Sequence, residues 1–393
     1  MTEAIRFDKV DVIFGPSPKH AIELIDQGHD KEEILSKTQN IVAVNNASFS
    51  ITEGETCVLM GLSGSGKSTL LRCLNGLVKS TRGNIFVRHG LKDINLANCD
   101  RKDLHLLRTQ SISMVFQQFA LMPWRTIREN IAYGLEIAGL SKKERARVVE
   151  EKLSMVQLSE WADQYPSDLS GGMQQRVGLA RALATDAEIL LMDEPFSALD
   201  PLIREHLQDE LLQLQSDLKK TIVFVSHDLD EALKLGSRIA IMESGSIVQV
   251  GTPEQIVAQP SNEYVKKFVA SMNPLKALRC SALMRFIEDL PSVNGSNIKA
   301  LDQEQRYLCY LSENGTLQKV TTDGISLEPI SFQQNMDISS ISEQTIVLAN
   351  LNTPMRAAVE MNYATGFPMP VVDQEKRLLG VVGAQEIFRG ILS

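Results

Sequence analysis

The sequence predicts an α/β fold on three observations. A glycine-rich loop, GLSGSGKST at residues 61–69, follows the apolar run 56–60 and opens a helix-like stretch at 70–77. Two more continuous apolar runs, 189–192 and 221–225, have the pattern of strands buried on both faces of a parallel sheet, and each closes on polar residues, Asp193-Glu194 and Ser226-His227. Between the loop and these runs, residues 126–161 carry Ile127, Ile131, Leu135, Val148, Leu153 and Val156 at helical spacing, which predicts an all-helical insert.

In chain order, residues 5–14 alternate apolar and polar positions as a first strand, which Gly15, Pro16 and Pro18 break. Two short amphipathic helices follow at 19–27 and 31–37, the second with Asp30 as N-cap and Glu33 completing a capping box. Strand-like residues resume at 41–51, and Glu53-Gly54-Glu55 turns the chain into the strand before the glycine-rich loop. Beyond the loop's helix, residues 83–87 read as a short strand, 104–108 as a helical turn, and 111–116 as an apolar strand ending at Gln117. The run LSGGMQQR at 169–176 leads a helix with Met173, Val177, Ala180 and Ala184 on one face. Residues 238–251 read as a hairpin turning near Ser244-Gly245, and Thr252-Pro253 opens another helix with Gln255 as box partner. The first core closes near Met272, residues 273–280 read as a linker, and 281–393 form a further domain.

The 393 residues suffice for two or three cores. A net charge of −9 argues against a nucleic-acid partner held by phosphate neutralisation. Five cysteines, far apart and without C-x-x-C pairs, disfavour a disulfide framework or a zinc site and fit a reducing cytoplasm. The N-terminus carries no basic-then-apolar signal, and no apolar run reaches the roughly 18 to 20 residues that span a bilayer, so a membrane role is expected to go through another chain.

The chemistry starts at the loop. Gly61, Gly64 and Gly66 permit backbone angles closed to other residues, so the amides of Gly61, Leu62, Ser63, Gly64, Ser65, Gly66 and Thr69 can turn toward a β-phosphate at a helix N-terminus. Lys67 supplies positive charge to the β- and γ-phosphates, and the Ser68 hydroxyl is placed for Mg²⁺. Asp193, at a strand end, is a second candidate for Mg²⁺, and Glu194, pointing elsewhere, is a candidate general base. Gln117 and His227 each close an apolar strand on the same sheet edge, Gln117 for Mg²⁺ or the attacking water and His227 for the γ-phosphate.

LSGGMQQ, lying between a phosphate loop and an Asp-Glu strand, resembles the signature of ATP-binding cassette proteins, and Ser197-Ala198-Leu199-Asp200 resembles their dimer-contact loop. The resemblance covers roughly residues 5–270. It implies a P-loop NTPase cassette with a RecA-like core, an antiparallel β subdomain and a helical insert at about 118–170, with ATP and Mg²⁺ as cofactors. It also implies a head-to-tail homodimer in which Ser170, Gly171, Gly172 and Gln174, with Asp200 nearby, grip a nucleotide held by the other subunit. Phe14 is where the family stacks an aromatic on adenine; as a lone strand-end Phe it reads equally as core.

A single cassette with a C-terminal appendage looks like the ATPase subunit of a bacterial importer. The insert IFGPSPKHAIELIDQGHDKEEILSKT, the stretch FALMPWRTIREN and MDEPFSALDPLIREHLQDEL resemble the glycine betaine, proline and choline branch, whose solutes serve as osmoprotectants or nutrients. The resemblance implies a peripheral place on the cytoplasmic side of the bacterial inner membrane. Its partners would be a transmembrane permease, met through Leu121, Met122 or Trp124, and indirectly a periplasmic or extracellular substrate-binding protein. An importer ATPase for another solute, such as an amino acid, or a soluble non-transport cassette ATPase are the alternatives. Residues 281–393 resemble a degenerate tandem of cystathionine-β-synthase-type modules, small α+β units, clearest in MRAAVEM and GFPMPVVDQEKRLLGVV. With 8 Lys and Arg against 13 Asp and Glu over residues 280–393, direct attraction to anionic lipid is disfavoured, and the tail reads either as a sensor or as a packing element.

Overall fold

The computed structural model describes residues 2–117, 120–270, 278–293, 297–333, 336, 341–342 and 344–392, and every helix and strand named belongs to these described residues. The chain divides into two compact units, residues up to Thr252 with Pro260–Val269, and Pro253–Gln259 with the residues from Ala270 on.

In the first unit, β1 (Glu3–Phe14) leads through α1 (Pro18–Asp26) and α2 (Lys31–Thr38) to β2 (Ile41–Thr52). The two helices are not a loose decoration: Ala21, Leu24 and Ile34 bury against Ile13 and Val42 of the strands. Arg82 holds Asp26 at 2.7 Å and Asp11 at 2.5 Å, binding α1 to the sheet. Asp30 caps α2 as expected, accepting from the Glu33 amide at 2.8 Å, whereas the Glu33 carboxylate meets His29 at 2.6 Å.

From β3 (Thr56–Met60) the chain enters the glycine-rich loop and α3 (Lys67–Leu74). Next come β4 (Arg82–His89), β5 (Lys92–Asn95), α4 (Arg101–Leu106) and β6 (Ile112–Val115). The strand expected at 83–87 is thus longer and paired with β5, which the sequence pattern did not separate from loop. The helical region expected over 126–161 is two capped helices, α5 (Ile127–Ile137) and α6 (Lys142–Met155), each opened by a reciprocal capping box, Thr126 with Glu129 and Ser141 with Glu144. Then follow α7 (Gly171–Ala184), β7 (Ile189–Asp193), α8 (Pro201–Leu218), β8 (Thr221–Val225), α9 (Leu229–Leu235), β9 (Arg238–Glu243) and β10 (Ser246–Gly251). The second unit takes α10 (Pro253–Ala258), and α11 (Glu263–Val269) returns to the first.

Two sheets result, an antiparallel one in the order β2-β1-β4-β5 and a six-stranded one in the order β10-β9-β3-β8-β7-β6. In the second sheet β3, β6, β7, β8 and β9 run parallel. The strands β3, β7 and β8 are buried along their whole length, because the sheet is covered on both faces and neither face meets water. Their C-terminal ends therefore place the residues that follow, Gly61, Asp193 with Glu194, and Ser226 with His227, on one edge.

The second unit continues with α12 (Cys280–Leu283), β11 (Arg285–Phe286), β12 (Ile298–Ala300), β13 (Tyr307–Leu311), β14 (Leu317–Thr322), β15 (Ile325–Ser331) and β16 (Thr345–Leu348). It closes with α13 (Met355–Thr365), β17 (Met369–Val372), β18 (Leu378–Val382) and α14 (Ala384–Leu392). The sheets are β11-β18-β17 and β12-β13-β14-β15-β16, with the last pair parallel. The stretch LCYLSENGTLQKV is a β13–β14 hairpin within an antiparallel meander. Of the expected linker 273–280, residues 273–277 lie outside the described residues, and Cys280 opens α12.

Candidate functional site

The loop at 61–69 is a cradle because its backbone is pressed against two carbonyls. A Cβ on Gly61 would lie 2.1 Å from the Met242 oxygen, and one on Gly66 would lie 2.3 Å from the Ala43 oxygen. Gly66 has φ 97° and caps α3, whose first residues are Lys67, Ser68 and Thr69. The Gly245 amide donates to the Ser65 carbonyl at 3.1 Å, tying the loop to the β9–β10 turn. Lys67 Nζ donates to the Gly61 and Leu62 carbonyls, both at 2.9 Å. Burial pushes the Lys67 ammonium below the usual lysine range, against the attraction of Glu194 and Asp193.

Asp193 is fully buried at the end of β7 and is the point where the elements meet. Ser68 Oγ donates to its Oδ1 at 2.7 Å, and Arg72 Nη2 donates to its Oδ2 at 2.8 Å. A carboxylate cut off from water needs such partners, and Arg72 reaches it because it stands one turn after Ser68 on α3. Sequence reading missed Arg72, since nothing local shows that its neighbour is 121 residues away.

Glu194 holds a left-handed backbone, φ 51°, with its amide donating to the Val225 carbonyl at 3.2 Å. Its Oε2 lies 3.5 Å from His227 Nδ1, so the structure brings these two residues together. Gln117 lies exposed, just past β6.

The start of α7 carries Ser170 as N-cap, accepting from the Met173 amide at 3.4 Å, then exposed Gly171 and half-buried Gly172. Gln174 turns back on its own chain, donating to the carbonyls of Pro166 at 2.9 Å and Leu169 at 3.2 Å. The neighbouring Gln175 was not singled out by sequence reasoning. It is buried and bridges α7 to the segment after β7, donating to the Glu194 carbonyl at 3.0 Å and accepting from the Ala198 amide at 3.0 Å. Its Ala variant leaves a buried carbonyl and an amide unpaired, so we expect a loss of about 1–3 kcal/mol in stability, read by denaturant or thermal unfolding. Asp200 caps α8, accepting from the Ile203 amide at 3.1 Å. Phe14 ends β1 with 45% of its surface exposed, so it is not a core residue.

The charged insert lysine is a third omission of sequence reading. Lys31 Nζ donates to the Val42 carbonyl at 2.5 Å, and a Cβ on Gly245 would lie 2.2 Å from that nitrogen. The insert thereby backs the same turn that holds Ser65.

A glycine cradle at the end of a parallel strand, with an invading lysine and a buried strand-end aspartate tied to the helix that the cradle opens, defines a P-loop NTPase cassette. Residues 44–197 match the family described as ABC transporter. The chain is 43% identical over 391 residues, 96% of its length and 90% of the relative's, to the glycine betaine transport ATP-binding protein OpuAA of Bacillus subtilis. To the glycine betaine/proline betaine transport system ATP-binding protein ProV of Escherichia coli it is 41% identical, covering 96% of the chain and 95% of the relative. Among solved structures, the dimeric post-hydrolysis state of the ATP-binding cassette MJ0796 bound to ADP and Pi is similar with a TM-score of 0.55 and 32% identity, covering 63% of this chain and 98% of that one. This chain belongs to the ABC transporter family as an ATPase subunit. Among the described residues no helix is long and apolar enough to cross a membrane.

Proposed function

We propose that this chain hydrolyses MgATP in a composite site between two copies of itself and thereby drives a permease that imports a quaternary ammonium compound, choline or glycine betaine. The observation that carries the site is the Ser68–Asp193 hydrogen bond, which joins the phosphate cradle to the acidic strand end. The residues present fit both groups: the cradle has no room for a side chain at Gly61 or Gly66, and a buried carboxylate beside a hydroxyl is an oxygen donor set suited to Mg²⁺.

In this reading the loop amides and Lys67 bind the phosphates, Lys67 exchanging the Gly61 and Leu62 carbonyls for phosphate oxygens. Ser68, Asp193 and Gln117 would hold Mg²⁺, which would supply positive charge to offset that of the phosphates. Glu194 takes a proton from the attacking water as its oxygen bonds to the γ-phosphorus and the bond to the β–γ bridging oxygen breaks, giving ADP and phosphate. His227 orients Glu194 and meets the γ-phosphate, Phe14 stacks on adenine, and Ser170, Gly171 and Gly172 of the second copy close the site from the other side. Gln174 shapes that second loop from behind, through Pro166 and Leu169, and Asp200 fixes the neighbouring turn.

The solute class rests on the near full-length similarity to subunits named for glycine betaine and proline betaine transport. The first unit acts as the cassette and the second as an appended domain, whose last half, in the order β16-α13-β17-β18-α14, we read as a cystathionine-β-synthase-type module. A substrate-binding protein outside the membrane would deliver the solute, leaving this chain on the cytoplasmic face. Deleting the chain from its host and restoring it tests the solute: uptake of labelled choline or glycine betaine should fall to background and return. If neither uptake depends on the chain, the solute assignment fails.

A further inference from the structure

Beyond these roles, we propose that Tyr264 is a positioning residue for the phosphate loop, fastening it from the last helix of its unit. Its hydroxyl accepts from the Leu62 amide at 3.2 Å and donates to the Met242 carbonyl at 3.3 Å. That carbonyl is the one that walls Gly61. One phenol therefore ties the second residue of the loop to the strand end that shapes the first. Leu62 gains from such a tie, because its side chain is 63% exposed and burial does little to hold the residue in place.

The ring is held independently of its hydroxyl. It stacks on Phe268, one turn further along α11, with centroids 6.1 Å apart and planes at 27°. The next residue, Val265, is fully buried and anchors the helix, and its amide donates to Asn262 Oδ1 at 2.9 Å. Removing the hydroxyl alone should thus leave α11 in place and free Leu62.

The consequence for binding follows from preorganisation. A loop held in its binding shape before the ligand arrives loses less conformational entropy on binding than one that must be ordered at that moment. The helix carrying Tyr264 also has a particular place in the chain, since the segments on both sides of it, Pro253–Gln259 and the residues from Ala270 on, belong to the second unit. The loop is thereby tied to the one segment of its own unit that interrupts the other.

The inference rests on the loop's being the nucleotide site, and the experiment separates the two. Equilibrium binding of a fluorescent ATP analogue to the purified full chain is measured for wild type and Tyr264→Phe, with ATPase kinetics, thermal unfolding and hydrogen exchange on the same samples. We expect Kd and KM to rise about fivefold in the variant, the worth of one net hydrogen bond, with kcat and Tm unchanged. Nucleotide should slow amide exchange in α11 of the wild type and leave it unaltered in Tyr264→Phe. Equal Kd in the two proteins overturns the inference and leaves the nucleotide site standing, as does a lowered Tm with unchanged Kd, which marks a merely structural tyrosine. A wild type that binds no nucleotide removes the proposed function, and this inference with it.

Discussion

Glu194→Gln should lower ATP turnover by about 10² to 10⁴ while leaving nucleotide affinity near that of the wild type. The amide has the size of the carboxylate and keeps the left-handed backbone that Val225 and Gln175 secure around residue 194, so the cradle is undisturbed. What is lost is the acceptor for the proton of the attacking water. If ATP joins two copies of the chain and its hydrolysis parts them, the variant should stay dimeric in the presence of ATP, whereas the wild type should return to monomers as ATP is consumed. Phosphate release and light scattering on one sample read both quantities. Turnover at the wild-type rate would remove Glu194 from the role of base, and the search would move to other groups near His227.

Gly66→Ala should weaken nucleotide binding by a hundredfold or more, and Gly64→Ala by about tenfold. Both glycines have a left-handed backbone, φ 97° and 78°, where a Cβ costs about 1–2 kcal/mol. They differ in what surrounds them. The added methyl at Gly64 meets nothing within 4 Å, but at Gly66 it would lie 2.3 Å from the Ala43 carbonyl, a backbone atom of β2 that no rotamer change can move. Overpacking of this kind adds about 1–3 kcal/mol, so the two costs together come to about 2–5 kcal/mol, a range centred above the roughly 2.7 kcal/mol of a hundredfold change in affinity. A free loop can relieve the clash by abandoning its shape, so the cost is borne when phosphate demands that shape back. Calorimetric titration with ATP checks the pair, and equal losses at the two positions would show that the wall formed by Ala43 does not shape the cradle.

Neither prediction needs a long-range guess about the loop itself. The glycines, Lys67 and Ser68 are legible in sequence because the cradle is built from nine consecutive residues, and the strand-loop-helix order is a local pattern of apolar run, glycines and helical spacing. The strand ends at Asp193 and His227 are legible for a similar reason: a run buried on both faces is apolar through its middle, so the polar residues that close it mark the edge. The capping residue Asp30 follows from chemistry within four residues, whereas the caps Thr126 and Ser141, which divide one helical pattern into α5 and α6, emerge only in the structure. Even the insert's two helices show in their own breakers and caps, although their purpose does not.

What the sequence by itself determined is therefore whatever neighbouring residues settle among themselves: the phosphate cradle, the buried strands with their polar ends, the helix starts, and through the run LSGGMQQ the family. Only the tertiary structure decided which distant groups complete these pieces. Arg72 on the buried Asp193, Gln175 under Glu194, Lys31 behind the Val42 carbonyl and Tyr264 on the Leu62 amide are polar side chains of ordinary surface types, and their sequences announce nothing. The same limit hid β5 and the meander of the second unit, whose short strands are stabilised by the edges they pair with. The physical reason is common to all of them: a buried carbonyl, amide or carboxylate must be satisfied, but any donor or acceptor the fold brings within about 3 Å will serve, so the requirement is written in the chain and its fulfilment only in space.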